Sequence, residues 1–146
     1  MNNADGTARR VDAGTMPTII HPPSLPDPTP NGYSTAVVAP PGCRLAFVSG
    51  QGGQDETGAL APQFEAQVER AYGNLFAVLE SLGAGPEGIV KLTVFVVDHD
   101  MEKLGALTGA VARRFGAALP AQTLVPVPRL AVDGMLFEVE AVVALP

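Results

Sequence analysis

Cysteine occurs once in this chain, tryptophan not at all, and aromatic residues make up 5% of its 146 positions. The lone Cys43 excludes an internal disulfide framework and suits a reducing compartment, so a cytoplasmic location is expected. With two histidines beside it, His21 and His99, there is no ligand pattern for zinc or another transition metal, and neither metal nor cofactor is expected. Both histidines read as surface residues. Long apolar runs are missing as well: no stretch reaches the eighteen residues a membrane-spanning helix needs, so no membrane association is expected. Arg9 and Arg10 are not followed by the apolar run and small-residue cleavage site of a signal peptide. Positive charge is scarce. The net charge is −6, and no Lys/Arg cluster is interleaved with aromatics, so a phosphate backbone would be repelled and nucleic acid is not expected as a partner.

What the chain does have is apolar residues, 47% against 16% charged, in a length that suits one domain with a real core. Residues 1–32 become proline-rich ("MPTIIHPPSLPDPTPNG"), which disfavours regular ladders and predicts an extended, partly mobile arm. The domain proper is expected over 33–146. Tyr33 to Val38 and Arg44 to Ser49 are β-rich, and the intervening "APPGC" predicts a hairpin. A helix follows from the spacing of Phe64, Val68, Tyr72, Leu75, Leu79 and Leu82, with Pro62 in its first turn and Gly83 as its C-terminal cap. "IVKLTVFVV", Ile89 to Val97, is apolar on both faces apart from Lys91 and Thr93 and predicts a central strand. Asp100 caps a second helix striped by Leu104, Leu107, Val111 and Phe115, and Gln122 to Val127 and Met135 to Leu145 complete the chain as strands. The result is an α+β fold of order ββαβαββ, with both helices on one face of the sheet. The other face then needs a cover, and a ring of like chains would supply it.

Several familiar chemistries have no footing. "GQGGQ" after a strand lacks the Lys-Ser/Thr pair and the spacing of a phosphate loop, and no GxSxG turn marks a serine hydrolase. Glu138 and Glu140 share a strand face about 6 to 7 Å apart, either as a charge-tolerant surface or as a carboxylate that positions and deprotonates water. Ser49-Gly50, at a strand end, is a plausible ligand contact because glycine lets a substrate approach the backbone. Arg129 either reaches across an interface or orders its own loop through a salt bridge.

Taken in order, "YSTAVV", "FVSGQ", "LESLGAG", "GIVKLTVFVVD", "LPAQT", Arg129-Leu130 and "FEVEAV" resemble the RidA/YjgF family of small trimeric enamine/imine deaminases, from about Tyr33 to Leu145. The resemblance implies a chorismate-mutase-like fold in which three chains close a β-barrel, with cofactor-free clefts at the subunit interfaces that hydrolyse reactive imines or enamines to keto acids and ammonia. It implies that Glu138 orients the attacking water, that Tyr33, Ser49 and Gly50 line the cleft, and that the backbone carbonyl of Leu124 helps hold the water. One position departs. The family motif is Pro-Ala-Arg followed by a small hydroxyl residue, its arginine gripping a substrate carboxylate; here it reads Pro120-Ala121-Gln122-Thr123. A Gln amide carries no charge, and losing a charge-assisted pair of about 1.5 to 3 kcal/mol corresponds to roughly tenfold to a hundredfold in affinity. The asparagine common on the family's second helix is also absent, its place falling near Gly105 or Ala106. Two readings therefore stand side by side: a hydrolase of altered substrate preference, favoured by Glu138, and a non-catalytic metabolite-binding trimer or accessory of a partner enzyme, favoured by the missing arginine. An endoribonuclease activity, attached to some members of the family, is opposed by the acidic balance.

Overall fold

The helices form where the apolar residues recur at helical spacing. In the computed structural model, which describes residues 16–146, α1 runs Phe64–Ser81 and buries Phe64, Val68, Tyr72, Leu75 and Leu79 along one stripe. Leu82 lies past its end and is exposed, and Pro62 precedes the cap residue Gln63 instead of standing in the first turn. Gly83, at φ 67°, takes the left-handed conformation that closes a helix C-terminus. The second helix, α2, runs Met101–Phe115 and is capped as expected, with the Asp100 carboxylate accepting from the backbone N–H of Lys103 at 2.8 Å.

The six strands are β1 (Thr18–Ile20), β2 (Ala36–Val38), β3 (Arg44–Gly52), β4 (Ile89–Val97), β5 (Ala121–Val127) and β6 (Phe137–Leu145). Four of them make the main sheet in the order β3-β6-β4-β5, antiparallel except for the β4–β5 pair that α2 connects. Leu92, Val94 and Val96 of β4 and Phe137, Val139 and Val143 of β6 are fully buried against the helices, α1 lying over β3 and β6. The mixed α+β architecture with a helix-covered sheet is the one expected.

Two details differ from the sequence reading. The turn at "APPGC" forms, with the Cys43 N–H donating to the Pro40 carbonyl at 3.3 Å, but β2 pairs with β1 and not with β3. Thr18 to Ile20 thus finds a short ladder inside the proline-rich segment, while residues 1–15 of the arm, Arg9 and Arg10 included, lie outside the described residues. The physical reason is a tie elsewhere. Buried Ser34 donates its backbone N–H to the Pro120 carbonyl at 2.9 Å and its hydroxyl to the Leu119 carbonyl at 2.5 Å, which draws the start of this segment to the β5 side of the sheet. Secondly, β3 continues past Ser49 to Gly52 through an irregularity between Val48 and Gln51.

The helix-free face of the sheet is open. Leu45 and Phe47 of β3 project from it, and Phe47 is 77% exposed. Around Phe47 a shallow hollow is walled by Lys91, Thr93, Glu140 and Val142. Among the described residues no helix is long and apolar enough to cross a membrane.

Candidate active site

Glu138 stands on β6 one residue after buried Phe137, so strand alternation puts its side chain on the open face. Gly50, in the irregular stretch of β3, packs directly against it. A side chain at position 50 would occupy the place of the Glu138 carboxylate, so glycine there is a requirement of close approach. Ser49, exposed next to Gly50, lies in the same irregular stretch of β3.

The loop behind this group is held by two side chains that the sequence reading passed over. Gln67, fully buried on α1, donates to the carbonyls of Ala61 (2.7 Å) and Gly134 (2.8 Å) and accepts from the N–H of Leu136 (2.8 Å). Asn74, seven residues on and so on the same helix face, donates to the carbonyls of Gly52 and Gln54, both at 2.9 Å. "GQGGQ" is therefore the end of β3 and its exit, held at Gly52 and Gln54 by Asn74, with Gly53 pressed against the Gln67 backbone. The signal was available: a polar residue interrupting an apolar helix stripe is a buried polar group that requires partners.

Gln122 lies elsewhere. It pairs with fully buried Leu92 in the β4–β5 register, which puts it on the helix-covered face, whereas Thr123 takes the open face and accepts from the Lys91 ammonium at 2.7 Å. The Oε1 of Gln122 is buried without a hydrogen-bond partner. Leu124, two residues on, packs against the core from the same side. Tyr33 precedes the Ser34 that is fastened to Leu119 and Pro120, so by backbone placement it belongs to this β5 group.

Within one chain the candidate residues thus fall into two sets. Glu138 shares a row with Phe95 and Val125, and Gln122 is three residues earlier on β5. That is about 10 Å along the strand and two strand spacings, about 10 Å, across, with the two side chains on opposite faces. Ser49 and Gly50 sit on the β3 edge, Gln122 and Leu124 on the β5 edge.

The remaining candidates are structural. Arg129 pairs with Asp133 at 2.9 Å, an exposed pair that orders its own loop. Arg44, on the β3 edge, reaches the Pro146 carbonyl at 3.4 Å. His21 is exposed as expected, but His99 is half-buried with its Nδ1 enclosed and unpartnered, at the turn where Asp98 takes a φ of 51° between β4 and α2. The surface reading of His99 is corrected. Glu69, bonded by Arg114 and Arg113 across α1 and α2, has its carboxyl held below the ordinary range mainly by the Arg114 hydrogen bond.

The family model described as Endoribonuclease L-PSP matches residues 26–145. The chain belongs to this family, the RidA/YjgF group. It is 36% identical to the 2-iminobutanoate/2-iminopropanoate deaminase of Salmonella typhimurium over 100 residues, covering 67% of this chain and 77% of that protein. Among solved structures, YyfB of Yersinia pestis, a Rid-family protein of unknown function, superposes with a TM-score of 0.84 at 30% identity over 90% of this chain and 100% of that one. RidA from an Antarctic Psychrobacter gives 0.64 at 29% identity over 77% of this chain and 88% of that one. The RidA-like fold is thereby established.

Proposed function

We propose that the protein is a RidA-like hydrolase of reactive imines or enamines, working in clefts between copies of the chain, with a substrate preference altered by Gln122. The observation that carries this reading is the Glu138 carboxylate packed on Gly50 at the rim of the open face, in a chain related to an imine deaminase. Ser49 and the backbone at Gly50 contact the substrate, and Glu138 takes a proton from water as its oxygen adds to the C=N carbon. Glu138 passes that proton to the nitrogen to give the carbinolamine, then takes the carbinolamine hydroxyl proton and delivers it to the nitrogen as the C–N bond breaks, the carbonyl forms and ammonia leaves.

The split between the sheet edges supports a composite cleft. A site that uses both Glu138 and Gln122 requires the β3 edge of one copy to meet the β5 edge of another, a head-to-tail contact that closes into a ring. We take the ring to be a trimer whose open sheet faces form a barrel, with Tyr33, Gln122 and the Leu124 carbonyl on one side of each cleft. A single cysteine suits the cytoplasm. The family description names a ribonuclease, but the net charge of −6 disfavours RNA here.

The test is the rate of hydrolysis of 2-iminobutanoate generated in situ by a threonine dehydratase, with wild type, Glu138→Gln and Gln122→Arg in parallel. Loss of turnover in Glu138→Gln and a gain in Gln122→Arg support the reading; full rate in Glu138→Gln refutes the assigned role. A second reading, a metabolite-binding trimer or accessory protein without turnover, is favoured by the missing arginine and predicts silence from every variant.

A further inference from the structure

Resting on the cleft proposed above, we infer that Gln122 selects a ligand with a donor and an acceptor side by side, a carboxamide or the N–H/C=O edge of a ureide or lactam, over a carboxylate. The Oε1 of Gln122 is buried and has no hydrogen-bond partner among the described residues, so this carbonyl oxygen is left unsatisfied. A buried amide in that condition is costly, and a ligand that completes it recovers the cost. Rotated into the cleft, the side chain presents Oε1 and Nε2 together, and the pair then accepts from one donor and donates to one acceptor at amide spacing. A carboxamide meets both in a paired arrangement. A carboxylate brings two acceptors, one of which would face the Oε1 lone pairs.

Among the described residues, the cations nearest in the sheet and its loops do not compensate. Lys91, the closest in strand register, lies on the opposite face with its ammonium on Thr123. Arg129 is engaged by Asp133 in the loop beyond β5, and Arg44 sits at the far edge of the sheet. The corresponding reaction is the hydrolysis of a 2-imino carboxamide: water adds its oxygen to the imine carbon, the C–N bond breaks, and the products are the 2-oxo carboxamide and ammonia. No oxidant or co-reactant is needed.

The probes are pyruvamide and pyruvate, equal in shape and different in charge, titrated against the assembled full-length protein by ligand-observed NMR. Wild type should bind pyruvamide about tenfold or more tightly than pyruvate, and Gln122→Arg should reverse the order. Equal or tighter pyruvate binding by wild type overturns the inference, as does the absence of saturable pyruvamide binding up to tens of millimolar. The wild-type comparison decides the matter even if the arginine variant does not fold, and Gln122→Glu, which keeps the length but not the donor, should lose the pyruvamide preference. If 2-iminobutanoate is hydrolysed while pyruvamide has no advantage, this inference falls and the hydrolase reading stands. An amide preference in a protein silent toward imines does the reverse.

Discussion

Replacing Gln67 with leucine removes the most heavily used polar side chain in the core. Its amide serves three backbone groups, the carbonyls of Ala61 and Gly134 and the N–H of Leu136, at 2.7 to 2.8 Å. Leucine fills a similar volume, so the cost is three stranded groups and not a cavity. At about 1 to 1.5 kcal/mol each, less about 1 kcal/mol regained by the added apolar surface, the expected loss is roughly 2 to 3.5 kcal/mol. That is a large share of a typical stability of about 5 to 15 kcal/mol. Urea unfolding followed by circular dichroism, at fixed protein concentration, should show the midpoint falling by about 1 M or more with an unchanged slope. Gln67→Glu gives an internal check. It retains the acceptor for Leu136 but buries a charge, and protonation at low pH restores a donor, so its deficit relative to wild type should shrink as pH falls. A loss below about 1 kcal/mol in Gln67→Leu would refute the argument, because the three groups would then have found other partners.

Phe47→Asp places a charge on the open face and should convert the proposed ring to single chains in sedimentation velocity, relative to wild type and without loss of helix signal; Phe47 is 77% exposed, and burial of a phenylalanine contributes about 1.5 to 3 kcal/mol per copy. An unchanged sedimentation coefficient would show that this face is not the interface. Gly50→Ala forces the Glu138 carboxylate aside, so imine hydrolysis should fall by about a hundredfold while the thermal midpoint moves by only a few degrees. Retention of the wild-type rate would remove Glu138 from the reaction. For Glu69, whose carboxyl is held low, the stability it contributes is present above the unfolded-state pKa and lost as pH falls through the lower folded-state value. Because the pair is partly exposed, Glu69→Gln should cost under about 1 kcal/mol at neutral pH and nothing near pH 2, as read from denaturation midpoints at both.

The parts of the fold that local chemistry decides were legible. The α1 stripe, the Asp100 cap and the nine β-rich residues of β4 appear where spacing and residue type put them. The β2–β3 hairpin was not, because a good turn at Pro40 to Cys43 guarantees only the turn, and the Ser34 tie to Leu119 and Pro120 spans 85 residues of sequence. Glu138 and Gly50 could be named from pattern, but their contact crosses from β3 to β6 and is visible only in three dimensions. Nor does spacing reveal that Gln122 faces the covered side of the sheet; that follows from its register with Leu92. Gln67 was missed because attention to an apolar stripe treats a polar interruption as noise, when burial makes it a hub.

The placement of Glu138 on β6, beside the β3 edge, and of Gln122 on the β5 edge has a genetic consequence. If each cleft takes Glu138 from one copy and Gln122 from the next, two separately inactive variants, one altered at each position, restore each other when refolded together. Every mixed ring then has one junction where both partners contribute intact residues. For random equal mixing into three-membered rings, about a quarter of all junctions are fully native, so about a quarter of the activity should return from two preparations that have none alone.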